Sequence, residues 1–170
     1  QIYDRHDIPS CKVATNNYTE WELYLSPDFF PPKDEKLIMT IKDGILAGLR
    51  EVIIIALSQN KGLLLHSCSI LWNEQVIAFS GKSGVGKSTH ARLWQEKYGV
   101  SILDGDVTAC RVLKDGAIAY GLPWCGTSGQ FLNQSGILRA VVFLQQAKNN
   151  NIRKLDFKES YMYLVSRCFL

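Results

Sequence analysis

The chain has 170 residues, 46% of them hydrophobic and 21% charged, with a net charge of +3. That length predicts one compact domain with enough chain for a core, and a charge so close to balance, without a dense basic tract, gives no electrostatic case for nucleic acid. The five cysteines, at positions 11, 68, 110, 125 and 168, fall in no C-x-x-C pair; this argues against a zinc or redox motif and for a reduced, cytoplasmic setting.

The first residues, Gln1-Ile2-Tyr3-Asp4-Arg5-His6-Asp7, are polar and carry both charge signs, so they do not read as a signal peptide. The most apolar run, residues 52–57, is too short to cross a bilayer, and no membrane partner is expected. The chain starts on Gln1 and ends on an apolar, helical-looking segment, residues 161–170, without a stop signal. The expectation is a piece of a longer protein.

Residues 1–32 read as short strands and turns. Residues 18–25 alternate as a strand does, Ser26-Pro27-Asp28 breaks the run, and Phe29-Phe30-Pro31-Pro32 makes a stiff connector. From Asp34 to Ser58 the apolar positions Leu37, Ile41, Ile45, Leu49, Val52, Ile53 and Ala56 recur at three- and four-residue steps, which predicts a core-facing helix. These two parts form an N-terminal β/α extension, residues 1–60, packed on a main domain of residues 61–170.

Residues 63–71 predict a strand, Asn73-Glu74 a turn, and residues 76–79 a second strand. His66 interrupts the first apolar run, and taken alone it is a hydrogen-bonded core histidine. The second strand runs into Gly81-Lys82-Ser83-Gly84-Val85-Gly86-Lys87-Ser88, then Thr89, which fits G-x-x-x-x-G-K-[ST] at every fixed position. A helix over residues 89–98 follows, with His90 on its solvated side. Strand, glycine turn, helix is the setting in which this pattern cradles phosphates. Glycines curl the backbone so that N–H groups face an anion, and the helix adds its positive end. Lys87 supplies a point charge for the outer phosphates of a nucleotide, and Ser88 offers a hydroxyl to Mg²⁺.

Residues 100–103 predict another strand, ending on Asp104-Gly105-Asp106. One helix and one turn separate it from Ser88, the spacing of a β–α–β unit. Acids at such a strand end hold a metal or activate an attacking group. Residues 107–113 and 117–120 read as a hairpin around Lys114-Asp115-Gly116. Gly121-Leu122-Pro123-Trp124-Cys125-Gly126-Thr127-Ser128-Gly129 is a glycine-rich loop, either a structural turn or a lining of the substrate side. Residues 137–144 predict a strand and residues 156–168 a helix.

His66, the glycine loop and Asp104-Gly105-Asp106-Val107, in that order, resemble the catalytic core of HPr kinase/phosphorylase, which is related in fold to phosphoenolpyruvate carboxykinase. Ser88-Thr89-His90-Ala91-Arg92-Leu93-Trp94 and Leu122-Pro123-Trp124-Cys125-Gly126-Thr127 resemble the small HPr-kinase-like proteins found beside peptide-modification genes. The resemblance covers residues 62–155. It implies an α/β fold with a mixed-sheet P-loop kinase core and an activity that transfers a phosphoryl group from ATP or another phosphate donor, with Mg²⁺, to a serine hydroxyl of a protein or peptide. It implies that residues 81–89 bind the donor phosphates, that Ser88 and Asp106 lie at the metal, and that an aspartate serves as base with His66 behind it. The family's tandem Asp-Asp is Asp-Gly-Asp here, with Gly105 in the first aspartate's place, so the base is Asp104 or Asp106. Classical members are hexamers, which makes a homo-oligomer an expectation.

Other readings are weighed against the kinase. A GTPase-like switch lacks its Asn/Thr-Lys-x-Asp and Asp-x-x-Gly motifs, and a carboxykinase acting on a small acid lacks a manganese-ligand set. A non-catalytic nucleotide-binding or scaffold protein of a peptide-maturation pathway is the alternative that the broken acid pair favours.

Overall fold

The computed structural model describes residues 2–3, 9–15, 20–25 and 35–169. The start of the predicted strand at Tyr18, the connector at residues 29–32 and the helix start at Asp34 lie outside the described residues. The chain divides into two compact units, Gln1–Gln59 and Asn60–Leu170.

In the first unit β1 (Ile2–Tyr3), β2 (Pro9–Ala14) and β3 (Glu22–Leu25) form an antiparallel sheet in sequence order. Helix α1 covers Glu35–Gln59. Of its predicted apolar stripe, Leu49 is 42% exposed, so the helix is less fully core-facing than its periodicity implies.

The second unit is α/β, built on a seven-stranded mixed sheet of β4 (Gly62–Trp72), β5 (Gln75–Ser80), β6 (Ser101–Asp104), β7 (Val107–Leu113), β8 (Gly116–Gly121), β9 (Ser135–Phe143) and β10 (Cys168–Phe169). Eleven residues long, β4 is the shared strand. Along one edge it pairs with β7 and then β6, and along the other with β10 and then β5. From β5 the path runs through a parallel β9 to β8 and β7, and so returns to β4.

Local chemistry explains several of these elements. The β4–β5 hairpin turns on Asn73 and Glu74, both at positive φ (48° and 62°), as a two-residue turn requires if it is to match strand twist. Helix α2 (Lys87–Tyr98) ends where Gly99, at φ 66°, donates its N–H to Gln95 O. It begins at Lys87, two residues before the predicted start, because left-handed Gly86 serves as its N-cap. Helix α3 (Phe157–Val165) opens with a reciprocal capping box between Asp156 and Glu159. The predicted C-terminal helix stops earlier than its apolar pattern implied: Cys168 and Phe169 pair with Leu65 and Leu64 of β4. Two residues on a long strand's open edge satisfy backbone groups that a fraying helix end would leave to water.

Two apolar clusters follow from the two-residue period of the strands. Cys68, Ile70, Phe79, Ala91, Val100 and Ile102 join the sheet to α2. Val76, Leu103, Cys110 and Ala119 pack on the other side, with Leu63 and Leu71 against them. Ser67 and Ser69 are buried beside this second group. Their cost is offset by a hydroxyl chain in which Ser67 donates to Thr108 (2.8 Å) and Thr108 to Ser69 (2.9 Å). His90, expected in solvent, is half-buried with its ring edge-on to Phe79 at 4.7 Å.

The hairpin turn yields a test. Glu74 occupies a left-handed conformation that a side chain disfavours by about 1 kcal/mol. Glu74→Gly is therefore expected to raise the urea midpoint, by up to about 1 kcal/mol of stability, at unchanged slope.

Candidate functional site

The site lies where β4, β5 and β6 deliver residues to one region around the glycine loop. β5 ends at Ser80, the loop follows, and α2 starts at Lys87. β6 ends at Asp104 with β4 between it and β5. Both flank β4 antiparallel, so β5 and β6 run parallel to each other, and the predicted β–α–β unit skips one strand.

Gly84 and Gly86 sit at φ 75° and 106°, and a side chain at either would meet nothing within 4 Å. Their absence of a Cβ serves conformation rather than space. No side chain caps the start of α2. The first N–H groups of this helix therefore have no side-chain acceptor from the N-cap. Lys87 is 9% exposed, and its Nζ rests 3.5 Å from Gly81 O. Burial is the main cause that lowers its pKa; Asp106 pulls the other way and Arg167 adds to the lowering. Half-buried Ser88 lies within hydrogen-bonding reach of the Cys68 thiol, whose pKa burial raises to about 12.

The two acids are in different situations. Asp104 is wholly buried. Its Oδ1 accepts the N–H groups of Asp106 and Val107, both at 2.9 Å, and its Oδ2 accepts that of Leu122 at 2.8 Å. Burial raises its pKa to about 6 against the opposing pull of these donors. Asp106 leaves 44% of its side chain exposed, and its Oδ1 lies 3.3 Å from His66 Nε2. His66 therefore sits beside Asp106, two residues along β4 from Cys68 and on the same face. Burial lowers the His66 pKa, Lys87 and Arg167 lower it further, and Asp106 opposes them. A neutral imidazole facing a carboxylate carries its proton on Nε2 and donates it.

Gly105 has a steric reason. A Cβ there would lie 1.8 Å from Ser128 Oγ and 2.5 Å from Cys125 O. The loop after β8, with its short 3-10 turn Gly126–Ser128, occupies the space that a side chain would need. An aspartate at 105 is thus excluded by the same loop whose first N–H is held by Asp104.

Arg167 was not visible as a site residue in the sequence. Its carbonyl accepts His66 N–H at 2.8 Å, and its charge acts on both His66 and Lys87. Its Nε is buried without a hydrogen-bond partner among the described residues. Arg167 also lines a pocket of about 360 Å³ with Gly81–Val85, Phe143–Gln146 and Tyr163. A lone arginine at the end of an apolar segment carries no motif, and only the pairing of β10 with β4 brings it here. Cys125, by contrast, turns its carbonyl to Ser128 Oγ at 2.6 Å.

No group of three or more His, Cys, Asp or Glu side chains is placed to hold a metal among the described residues. The hydroxyl of Ser88 and the half-exposed carboxylate of Asp106 are oxygen donors that suit Mg²⁺, which draws most of its shell from phosphates and water. The residues present fit the ion. No helix of the described residues is long and apolar enough to cross a membrane.

No protein-family model matches this chain, and no curated protein does. Among solved structures, the Hpr(Ser) kinase/phosphatase from Coxiella burnetii is similar over 55% of this chain and 72% of that one, with a TM-score of 0.40 and 12% identity. A likeness this distant leaves the site to be read from its own geometry.

Removing the acceptor capacity of Asp104 strands a buried N–H, whereas Asp106 faces solvent. Asp104→Asn is expected to cost about 1–3 kcal/mol in urea unfolding, and Asp106→Asn about 1 kcal/mol or less. Equal losses would contradict the separate parts assigned to the two acids.

Proposed function

We propose that the chain is a nucleotide-dependent kinase that transfers a phosphoryl group to a serine hydroxyl of a protein or peptide. The observation that carries this reading is the placing of the His66–Asp106 pair (3.3 Å) within electrostatic range of Lys87, at the end of the glycine loop. Residues 81–89 cradle the phosphates of ATP: backbone N–H groups and the helix start take the charge of the chain, and Lys87 leaves the Gly81 carbonyl for the terminal phosphate. Ser88 and Asp106 would hold Mg²⁺, which would supply neutralisation of the charge on the transferring group. Asp106 takes the proton of the serine hydroxyl. The serine oxygen forms its bond to the terminal phosphorus, the bond from phosphorus to the bridging oxygen breaks, and the nucleoside diphosphate leaves with that electron pair. His66 donates to Asp106 and fixes its direction; it is a positioning residue. Arg167 adds a second fixed cation near the same point. The free thiols of Cys68, Cys110, Cys125 and Cys168 suit a reducing cytoplasm.

The alternative, a nucleotide-binding scaffold without turnover, draws its support from the occupied place at Gly105. The open, His66-backed carboxylate of Asp106 supports the kinase reading over it. The test is transfer of labelled phosphate from ATP to serine peptides, with the product located by mass spectrometry. Lys87→Ala and Asp106→Asn are each expected to lower transfer by at least about 10²-fold. Nucleotide binding with no transfer to any peptide would favour the scaffold.

The pH profile supplies a second check. A lowered His66 pKa keeps the ring neutral until the pH falls below 6.5. Under that point the imidazolium ties up the Asp106 carboxylate, so kcat is expected to fall on an acid limb below pH 6.5. His66→Gln is expected to move the limb. An acid limb unchanged in that variant would count against the pairing.

A further inference from the structure

We propose that Leu122-Pro123-Trp124-Cys125-Gly126 is the acceptor-side wall of the site, and that Gly126 is the positioning residue that sets how the serine of an uncharged peptide segment meets Asp106. This deepens the kinase reading and rests on it. Three observations carry it.

The loop is fastened at both ends to the strand that bears the acids. Leu122 N–H is held by Asp104 Oδ2 (2.8 Å), Leu132 N–H donates to Leu103 O (2.9 Å), and Phe131 bridges Asp104. Between those ties it lies hard against the acids. Besides the contacts that exclude a side chain at Gly105, a Cβ on Gly126 would sit 3.0 Å from Asp106 Cβ and 3.2 Å from its Cγ. Gly126 is at φ +56°, where glycine is favoured. The Asp106 carboxylate is thus held between His66 and the Gly126 backbone, with its remaining side open to solvent. A group fixed on two sides presents one direction to an incoming hydroxyl, and small displacements of such a group are costly to transfer.

The wall is also electrically neutral. Residues 116–138 contain no Asp, Glu, Lys, Arg or His, in a chain that is 21% charged. The same uncharged stretch carries the exposed Gln130 and the 45%-exposed Phe131, and it offers an acceptor no ionic partner of its own. Recognition there falls to apolar contact and neutral hydrogen bonds, which selects an uncharged segment around the serine.

The test uses the full chain with ATP, Mg²⁺ and serine peptides that differ only in flanking charge. Gly126→Ala is expected to lower kcat/KM for the peptide about tenfold, while the nucleotide Kd stays within about twofold. Gly129→Ala is the control for backbone strain: Gly129 has a similar φ of +65°, but a Cβ there meets nothing within 4 Å. It is expected to leave both quantities within about twofold. Neutral flanks are expected to give lower KM than Asp or Lys flanks. An unchanged peptide kcat/KM in Gly126→Ala, an equal loss in Gly129→Ala, or tighter binding of charged flanks overturns the proposal while the kinase reading stands. A wild-type chain that binds ATP but phosphorylates no peptide removes the kinase reading, and this proposal with it.

Discussion

A carboxylate buried away from water needs its lone pairs filled, and Asp104 fills them with the backbone N–H groups of Asp106, Val107 and Leu122. Three features of the region hang on that one group. The first two donors set the path of the chain just past β6, and so the place of the Asp106 side chain. The third draws in the loop after β8. With the loop drawn in, Ser128 and Cys125 occupy the space beside residue 105, and only glycine fits there. The Asp-Gly-Asp pattern is therefore a division of labour. One acid is spent on structure, the glycine makes room, and the second acid is left half-exposed beside His66.

The long strand β4 supplies the counterpart. Its first half pairs with β7 and β10, and its second half with β5 and β6. His66 falls at the changeover, where its N–H is taken by Arg167 O and its ring reaches Asp106. Three cations or potential cations, Lys87, His66 and Arg167, gather around one open carboxylate. Burial, with repulsion from neighbouring cations, depresses the proton affinity of Lys87 and His66. In the proposed kinase the anion that these groups meet is the phosphate chain.

Much of this was legible in the residues alone because it depends on local chemistry. The turn at Asn73-Glu74, the helix after Gly86 and the hairpin at residues 114–116 follow from short-range rules, and the structure has all three. The α/β class follows from the alternation of those elements. What was hidden depends on partners distant in sequence. No short-range pattern in the sequence separates Asp104 from Asp106; part of what fixes Asp104 comes from Leu122, eighteen residues on. Arg167 and β10 were masked by an apolar run that suits a helix as well as an edge strand. Ser67 and Ser69 looked out of place in a buried strand until Thr108 joined them. His90 lay on the wrong side because Phe79 covers it.

The central claim is that the glycine loop and Asp106 act on the two ends of the same phosphoryl group. A crystal structure of the chain with Mg²⁺ and a non-hydrolysable ATP analogue measures this directly. The account predicts a phosphate chain wrapped by residues 81–89, with the terminal phosphate between Lys87 Nζ and the Asp106 carboxylate and Asp104 still holding its three N–H groups. A terminal phosphate out of reach of Asp106, or seated on Asp104 instead, would contradict it.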